Sequence, residues 1–201
     1  EGLTTKKVDE TVKKIKPFLI EMAAEAKETG VYGRKRLKIG PVDGTRQQQL
    51  WREVLADMGF GFSAGRVDIG SHPTILANSP QDVRVVSSYA EDDMRFGLFN
   101  ALHSGGKGIY QQSIDKNLLG TFLAEPPSFS MEEAIGRFYE NVVGRSRGFW
   151  TYFYDKMCTI VGELKGFKPE ELYADVNKIG PSLIRIDADQ FTYLLHIIIR
   201  Y

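Results

Sequence analysis

Apolar residues recur at three- and four-residue steps at Val8, Val12, Ile15, Leu19, Met22 and Ala26, with Lys and Glu between them. This spacing predicts an amphipathic helix over residues 8–29, closed by Gly30. Pro17 lies inside it and is expected to kink or break it near Lys16. The same period returns at Leu50, Trp51, Val54 and Leu55, placing a second helix from a Thr45 cap to Met58, with Gly59 as its stop. The period then drops to two. FSAGRVDIGSHPTILA and QDVRVVSSYA alternate and are rich in β-branched residues, and NSPQ between them has turn chemistry. Residues 62–90 therefore read as a small antiparallel sheet built on a β-hairpin.

Helical spacing resumes at Phe96, Phe99, Leu102 and Ile109 across the stretch 93–112, DMRFGLFNALHSGGKGIYQQ. A loop from Asn117 to Ser130 contains Pro126 and Pro127. Ser130 and Glu133 then form a Ser-x-x-Glu capping box. It opens a long helix reaching Gly162, with Ile135, Phe138, Tyr139, Val142, Val143, Phe149, Trp150 and Phe153 as its apolar positions. A shorter helix is expected from Pro169 to Lys178, an extended segment from Ser182 to Ile186, and a last helix through Tyr201 capped by Asp187 or Asp189. The pattern shows no internal repeat or low-complexity linker. It gives a mainly α fold, a single domain over residues 1–201, with a small antiparallel sheet near the helix of residues 93–112.

Charge changes this picture by exclusion. The chain has 26 basic and 26 acidic side chains, so no net field draws it to nucleic acid or to an anionic membrane. No apolar run reaches the roughly 18 residues of a membrane span, and the polar, basic start lacks the apolar core of a signal peptide. A soluble protein is expected. Cys158 is the single cysteine, which excludes an intrachain disulfide and points to a reducing, cytoplasmic compartment. The chain starts at Glu1 and stops at Tyr201 within an apolar run, and a longer parent chain is expected on that ground.

Candidate chemistry gathers on the helix of residues 93–112. His103 and Lys107 are four residues apart and project from one face. Zinc peptidases place an HExxH motif in such a helix, with two His ligands one turn apart and a Glu as general base. Here the same frame reads His103, Ser104, Gly105, Gly106, Lys107.

Four further stretches bear on that frame. They are MGFGFSAGRVDIGSHP with Ser71, His72, Pro73 and Thr74; QDVRVVSSYAEDDM with Asp82, Arg84 and Val86; FYENVVGRSRGFW, Phe138 to Trp150; and IRIDADQFTYLLHIIIRY, Ile184 to Tyr201. Together, in this order and spacing, they resemble the carboxypeptidase Taq family of thermostable zinc metallocarboxypeptidases, whose chains are nearly all-helical and considerably longer. The resemblance implies a single zinc held by the two His of HExxH and by a Glu opening the following helix. On this chain those positions are His103, Lys107 and Glu133, with Ser104 at the general-base position. It further implies that Arg84 and Arg185 hold the terminal carboxylate of a peptide near His72, that Tyr193 and His196 support the oxyanion, and that the protein is a homodimer.

The departures fall on the chemistry. Lys107 removes a ligand and brings an ammonium to the metal position, Ser104 cannot act as a carboxylate base, and Gly105 and Gly106 each cost the helix about 1 kcal/mol and are expected to loosen it. Val86 and Thr74 also replace a Thr hydroxyl and a Phe of the family pattern. The expectation is a catalytically impaired relative, a pseudoenzyme without bound zinc, in which Lys107 pairs with Glu133. Two alternatives stay open: an active metallocarboxypeptidase with a rebuilt site, for which His72 is a candidate ligand, and a homologue that binds peptide C-termini or serves structurally.

Overall fold

The computed structural model describes residues 2–33, 35–180 and 189–201, and the chain divides into two compact units, Glu1–Leu37 with Ala174–Tyr201, and Lys38–Tyr173. The expected segment Ser182–Ile186, with Arg185, and the candidate cap Asp187 lie outside the described residues.

In the first unit, α1 spans Thr5–Glu28 and α7 spans Gln190–Arg200, and the two helices are in contact. α1 runs through Pro17 without a break, and it starts at a Thr4 cap rather than near Val8. α7 is capped by Asp189: its Oδ1 accepts the Phe191 and Thr192 amides, and its Oδ2 accepts the Thr192 hydroxyl and the Gly180 amide. Asp175, 1% exposed, accepts the Leu37 amide at 2.7 Å and the Lys178 ammonium at 2.8 Å.

The second unit carries the candidate site. α2 spans Gly44–Asp57, and its cap is Asp43, not Thr45, because the Asp43 carboxylate accepts the Arg46 amide at 3.0 Å. Three strands follow: β1 Gly65–Ile69, β2 Thr74–Ser79 and β3 Asp82–Ser87. β2 and β3 form the expected antiparallel hairpin. β1 lies parallel to β3, so the sheet is mixed, in the order β1-β3-β2, rather than wholly antiparallel. The central place goes to β3 because Val83, Val85 and Ser87 alternate as its fully buried positions, so this strand has the most apolar surface to cover.

α3 spans Met94–Gln112 and packs on α2, β2 and β3. Leu50, Trp51, Val54 and Leu55 of α2 and Leu98 and Leu102 of α3 are wholly buried between them. The single long helix expected from Ser130 to Gly162 is instead three pieces. α4 spans Phe129–Arg137, a π-helical turn covers Phe138–Val143, and α5 spans Arg147–Ile160 after a Ser146 cap. At the break Gly144 lies close against α3, where a Cβ would be 2.5 Å from Leu102 Cδ1, and its carbonyl accepts the Trp150 indole N–H at 3.0 Å. The cap of α4 is Ser128, whose hydroxyl accepts the Met131 amide, so Ser130 lies inside the helix and makes no capping box. α6 spans Pro169–Val176. Among the described residues, no helix is long and apolar enough to cross a membrane.

A charged cluster between α3 and α4

α3 presents His103 and Lys107 one turn apart, half-buried, to α4 and the π-helical turn. Three glycines allow this close approach. A Cβ on Gly105 would lie 2.3 Å from Leu55, one on Gly106 2.6 Å from Tyr139, and one on Gly108 2.9 Å from Phe60 and Val85. α3 is continuous through all three, which corrects the expectation that Gly105 and Gly106 loosen it: the lost propensity is offset by packing against Leu55, Tyr139, Phe60 and Val85. Gly136 of α4 does the same for the imidazole, since its Cβ would meet His103 Cε1 at 2.9 Å.

Into this space α4 brings Glu133, and the π-helical turn brings Glu140. Lys107 Nζ donates to Glu133 Oε1 in an ion pair, the arrangement expected of a half-buried ammonium. His103 lies between two carboxylates, with Nδ1 3.0 Å from Glu140 Oε2 and Nε2 3.4 Å from Glu133 Oε2. Arg137 donates to Glu140 at 2.9 Å, and the Phe129 ring centroid lies 5.8 Å from Lys107 Nζ. Side-chain exposure is 13% for Lys107, 16% for His103 and 12% for Glu140 but 36% for Glu133, so solvent screens the Lys107–Glu133 pair in part. Burial of the Glu133 carboxyl would raise its pKa. The hydrogen bond and charge of Lys107, with the charges of His103 and Arg137, outweigh that and hold it below the ordinary carboxylate value.

The donor set does not fit a zinc ion. Lys107 and Arg137 already balance Glu133 and Glu140, so a divalent cation would add two uncompensated charges to a half-buried site. Lys107 offers no lone pair while protonated and touches the carboxylate that would have to bind the metal. Among the described residues, no group of three or more His, Cys, Asp or Glu is arranged to hold a metal. Ser104 is 1% exposed.

The other candidate residues lie apart from this cluster or in the other unit. His72 is exposed in the turn between β1 and β2. Arg84 on β3 donates from Nε and Nη2 to both oxygens of Asp82 at 3.0 Å, and Asn78 donates to the same carboxylate at 2.8 Å. The Arg84 and Asn78 hydrogen bonds hold the Asp82 carboxyl below its usual value. Tyr193 and His196 are half-buried on α7 of the first unit, and Arg185 lies outside the described residues. Sequence reasoning missed Glu140, Arg137 and Gly136. The signal was the spacing of Glu133, Arg137 and Glu140, four and three residues apart and hence on one helical face.

Comparison with known proteins places the geometry. All 201 residues match the family model described as Carboxypeptidase Taq (M32) metallopeptidase. The chain is 33% identical over its whole length to carboxypeptidase 1 of Bacillus subtilis, of which it covers 40%, and 38% identical over 160 residues to thermostable carboxypeptidase 1 of Thermus thermophilus, covering 80% of this chain and 31% of that one. The crystal structure of the M32 carboxypeptidase from Deinococcus radiodurans superposes with a TM-score of 0.93 at 33% identity, over 100% of this chain and 40% of the other. The chain thus spans two fifths or less of the length of these relatives. With the family model matched over the whole chain and a solved family structure at a TM-score of 0.93, the chain belongs to the carboxypeptidase Taq metallopeptidase family.

Proposed function

We propose that this chain is a metal-free member of its family in which release of C-terminal amino acids from peptides is lost. The ammonium of Lys107 takes the position of the second zinc ligand and of part of the metal's charge, binding Glu133 directly. The observation that carries this reading is that ion pair, within a cluster whose charges cancel without a metal. Ser104 supplies no carboxylate to accept a proton from water, so hydrolysis lacks its base as well as its metal.

His103 is held by Glu140 and Glu133 as a structural link between α3 and α4. Arg84, fixed in its plane by Asp82, keeps one guanidinium nitrogen outside that bidentate contact and is the described group best suited to meet a peptide carboxylate. The test is release of amino acids from N-blocked dipeptides and longer peptides, with and without added zinc. No release above the blank in either condition is expected, and zinc-dependent release that a chelator abolishes would overturn the proposal.

A further inference from the structure

In a chain of zero net charge, the first turns of α1 hold a local excess of cations. Residues 6–20 carry Lys6, Lys7, Lys13, Lys14 and Lys16 against Asp9 and Glu10, and all five lysines are exposed. None of the five has an ion-pair partner among the described residues; Lys7 donates to the Gly2 carbonyl at 3.0 Å. Buried Leu19 marks the side of α1 that packs within its unit. Lys7, Lys14 and Phe18, at steps of seven and four, share one outward face, and Lys6, Lys13 and Ile20, at steps of seven, share the next, with Glu10 between them. Phe18 is 59% exposed and Ile20 54%, and Ile15 is exposed as well. The Tyr201 hydroxyl donates to Asp9 at 3.0 Å, which brings the end of α7, with Ile199 83% exposed, alongside these turns. Glu21, Glu25 and Glu28 follow on the later turns and confine the cationic surface to residues 6–20.

We propose that residues 6–20 of α1 bind the surface of an anionic lipid bilayer, lying on it rather than crossing it. The lysine ammoniums meet the headgroup phosphates, and their aliphatic stems lie along the boundary with the acyl chains. Phe18, Ile15 and Ile20 enter that boundary and leave water, so charge and apolar burial act together. The apolar side chains stand singly among lysines over two adjoining faces, which suits a fluid interface better than the contiguous apolar patch a folded acidic partner would need. The even balance of charge over the whole chain gives no long-range field and conceals this excess, which acts within about a Debye length, ~10 Å. The surface belongs to the first unit and uses no group of the second.

The experiment is flotation of the whole chain with vesicles of phosphatidylcholine and phosphatidylglycerol in equal parts, set against vesicles of phosphatidylcholine alone. The unaltered protein should float with the anionic vesicles, stay behind with the neutral ones, and be released by raised salt, a result independent of any variant's folding. Lys13→Gln/Lys14→Gln/Lys16→Gln should weaken binding about tenfold or more, and so should Phe18→Gln/Ile20→Gln, which leaves every charge in place. All five positions are exposed, so the urea unfolding midpoint of each variant should match that of the unaltered protein. Absence of binding to the anionic vesicles, equal binding to both compositions, or binding that neither variant weakens would overturn the proposal. So would capture by soluble polyglutamate in preference to the anionic vesicles, since that assigns the surface to an acidic protein instead.

Discussion

The face of α3 toward α2 and β3 and the face toward α4 obey different rules. On the first, Leu98, Leu102, Gly105 and Gly108 are buried against Leu55, Phe60 and Val85 with no room for an added methyl group. On the second, His103 and Lys107 meet Glu133 and Glu140 through charge and hydrogen bonds. The packed face maintains the helix whatever the other face does, which is how a TM-score of 0.93 to an M32 carboxypeptidase coexists with a Lys107–Glu133 ion pair on the other face. Scaffold and chemistry are separable here, and each side can be perturbed alone.

The largest effect is expected on the packed face. Gly105→Val drives two methyl groups into Leu55 and should lower unfolding free energy by about 3 kcal/mol, read from urea denaturation, with no change in zinc affinity. A change of less than about 0.5 kcal/mol would show that the contact yields freely. On the charged face, Lys107→His with Ser104→Glu writes an HExxH motif into α3, and on the proposed reading zinc affinity by calorimetry should rise about a hundredfold or more. No gain would mean that Glu140 and Arg137 keep His103 and Glu133 from a metal by themselves. Glu133→Ala leaves Lys107 half-buried without its partner and should cost about 1–2 kcal/mol, tempered by the partial exposure of Glu133. Adding Lys107→Met should recover most of that loss, and an additive double variant would deny the coupling.

Much of the scaffold was legible because it rests on local signals. The spacing of Phe96, Phe99 and Leu102 marks α3, and Pro169 marks the start of α6. What could not be read was decided across long sequence separations. At the break in the expected long helix, Gly144 lies against Leu102, 42 positions earlier (144 − 102), and β1 pairs with β3 although β2 comes between them in sequence. The cap of α2 is a local exception: Asp43 rather than Thr45 takes that place, its carboxylate accepting both the Arg46 amide and guanidinium three residues on. In the site, Lys107 and Glu133 were legible as opposite charges at aligned positions. Glu140 was legible only as a further carboxylate on the helical face of Glu133 and Arg137, and the π-helical turn that aims it at His103 has no local sequence signature.

The smallest expected effect lies away from both faces, in the Asp43–Arg46–Glu163 triplet. Asp43 is held below the usual carboxylate range by the Arg46 amide and guanidinium, and Glu163 by its own backbone amide and the same guanidinium. Groups depressed in the fold contribute stability that is full above their unfolded pKa values and is lost as pH falls through the folded ones. Arg46→Met should therefore make the acid limb of the stability profile shallower, by little, because both carboxylates meet solvent. An unchanged limb would remove the triplet from the account.

The most direct test of the central claim is a calorimetric titration of the purified chain with zinc near neutral pH, paired with elemental analysis of its metal content. The account predicts no stoichiometric metal and no binding heat at micromolar zinc, with the thermal unfolding midpoint unchanged by a chelator. One tightly bound zinc per chain, with a chelator lowering that midpoint, would contradict it and show that Lys107 has given up Glu133 to a metal.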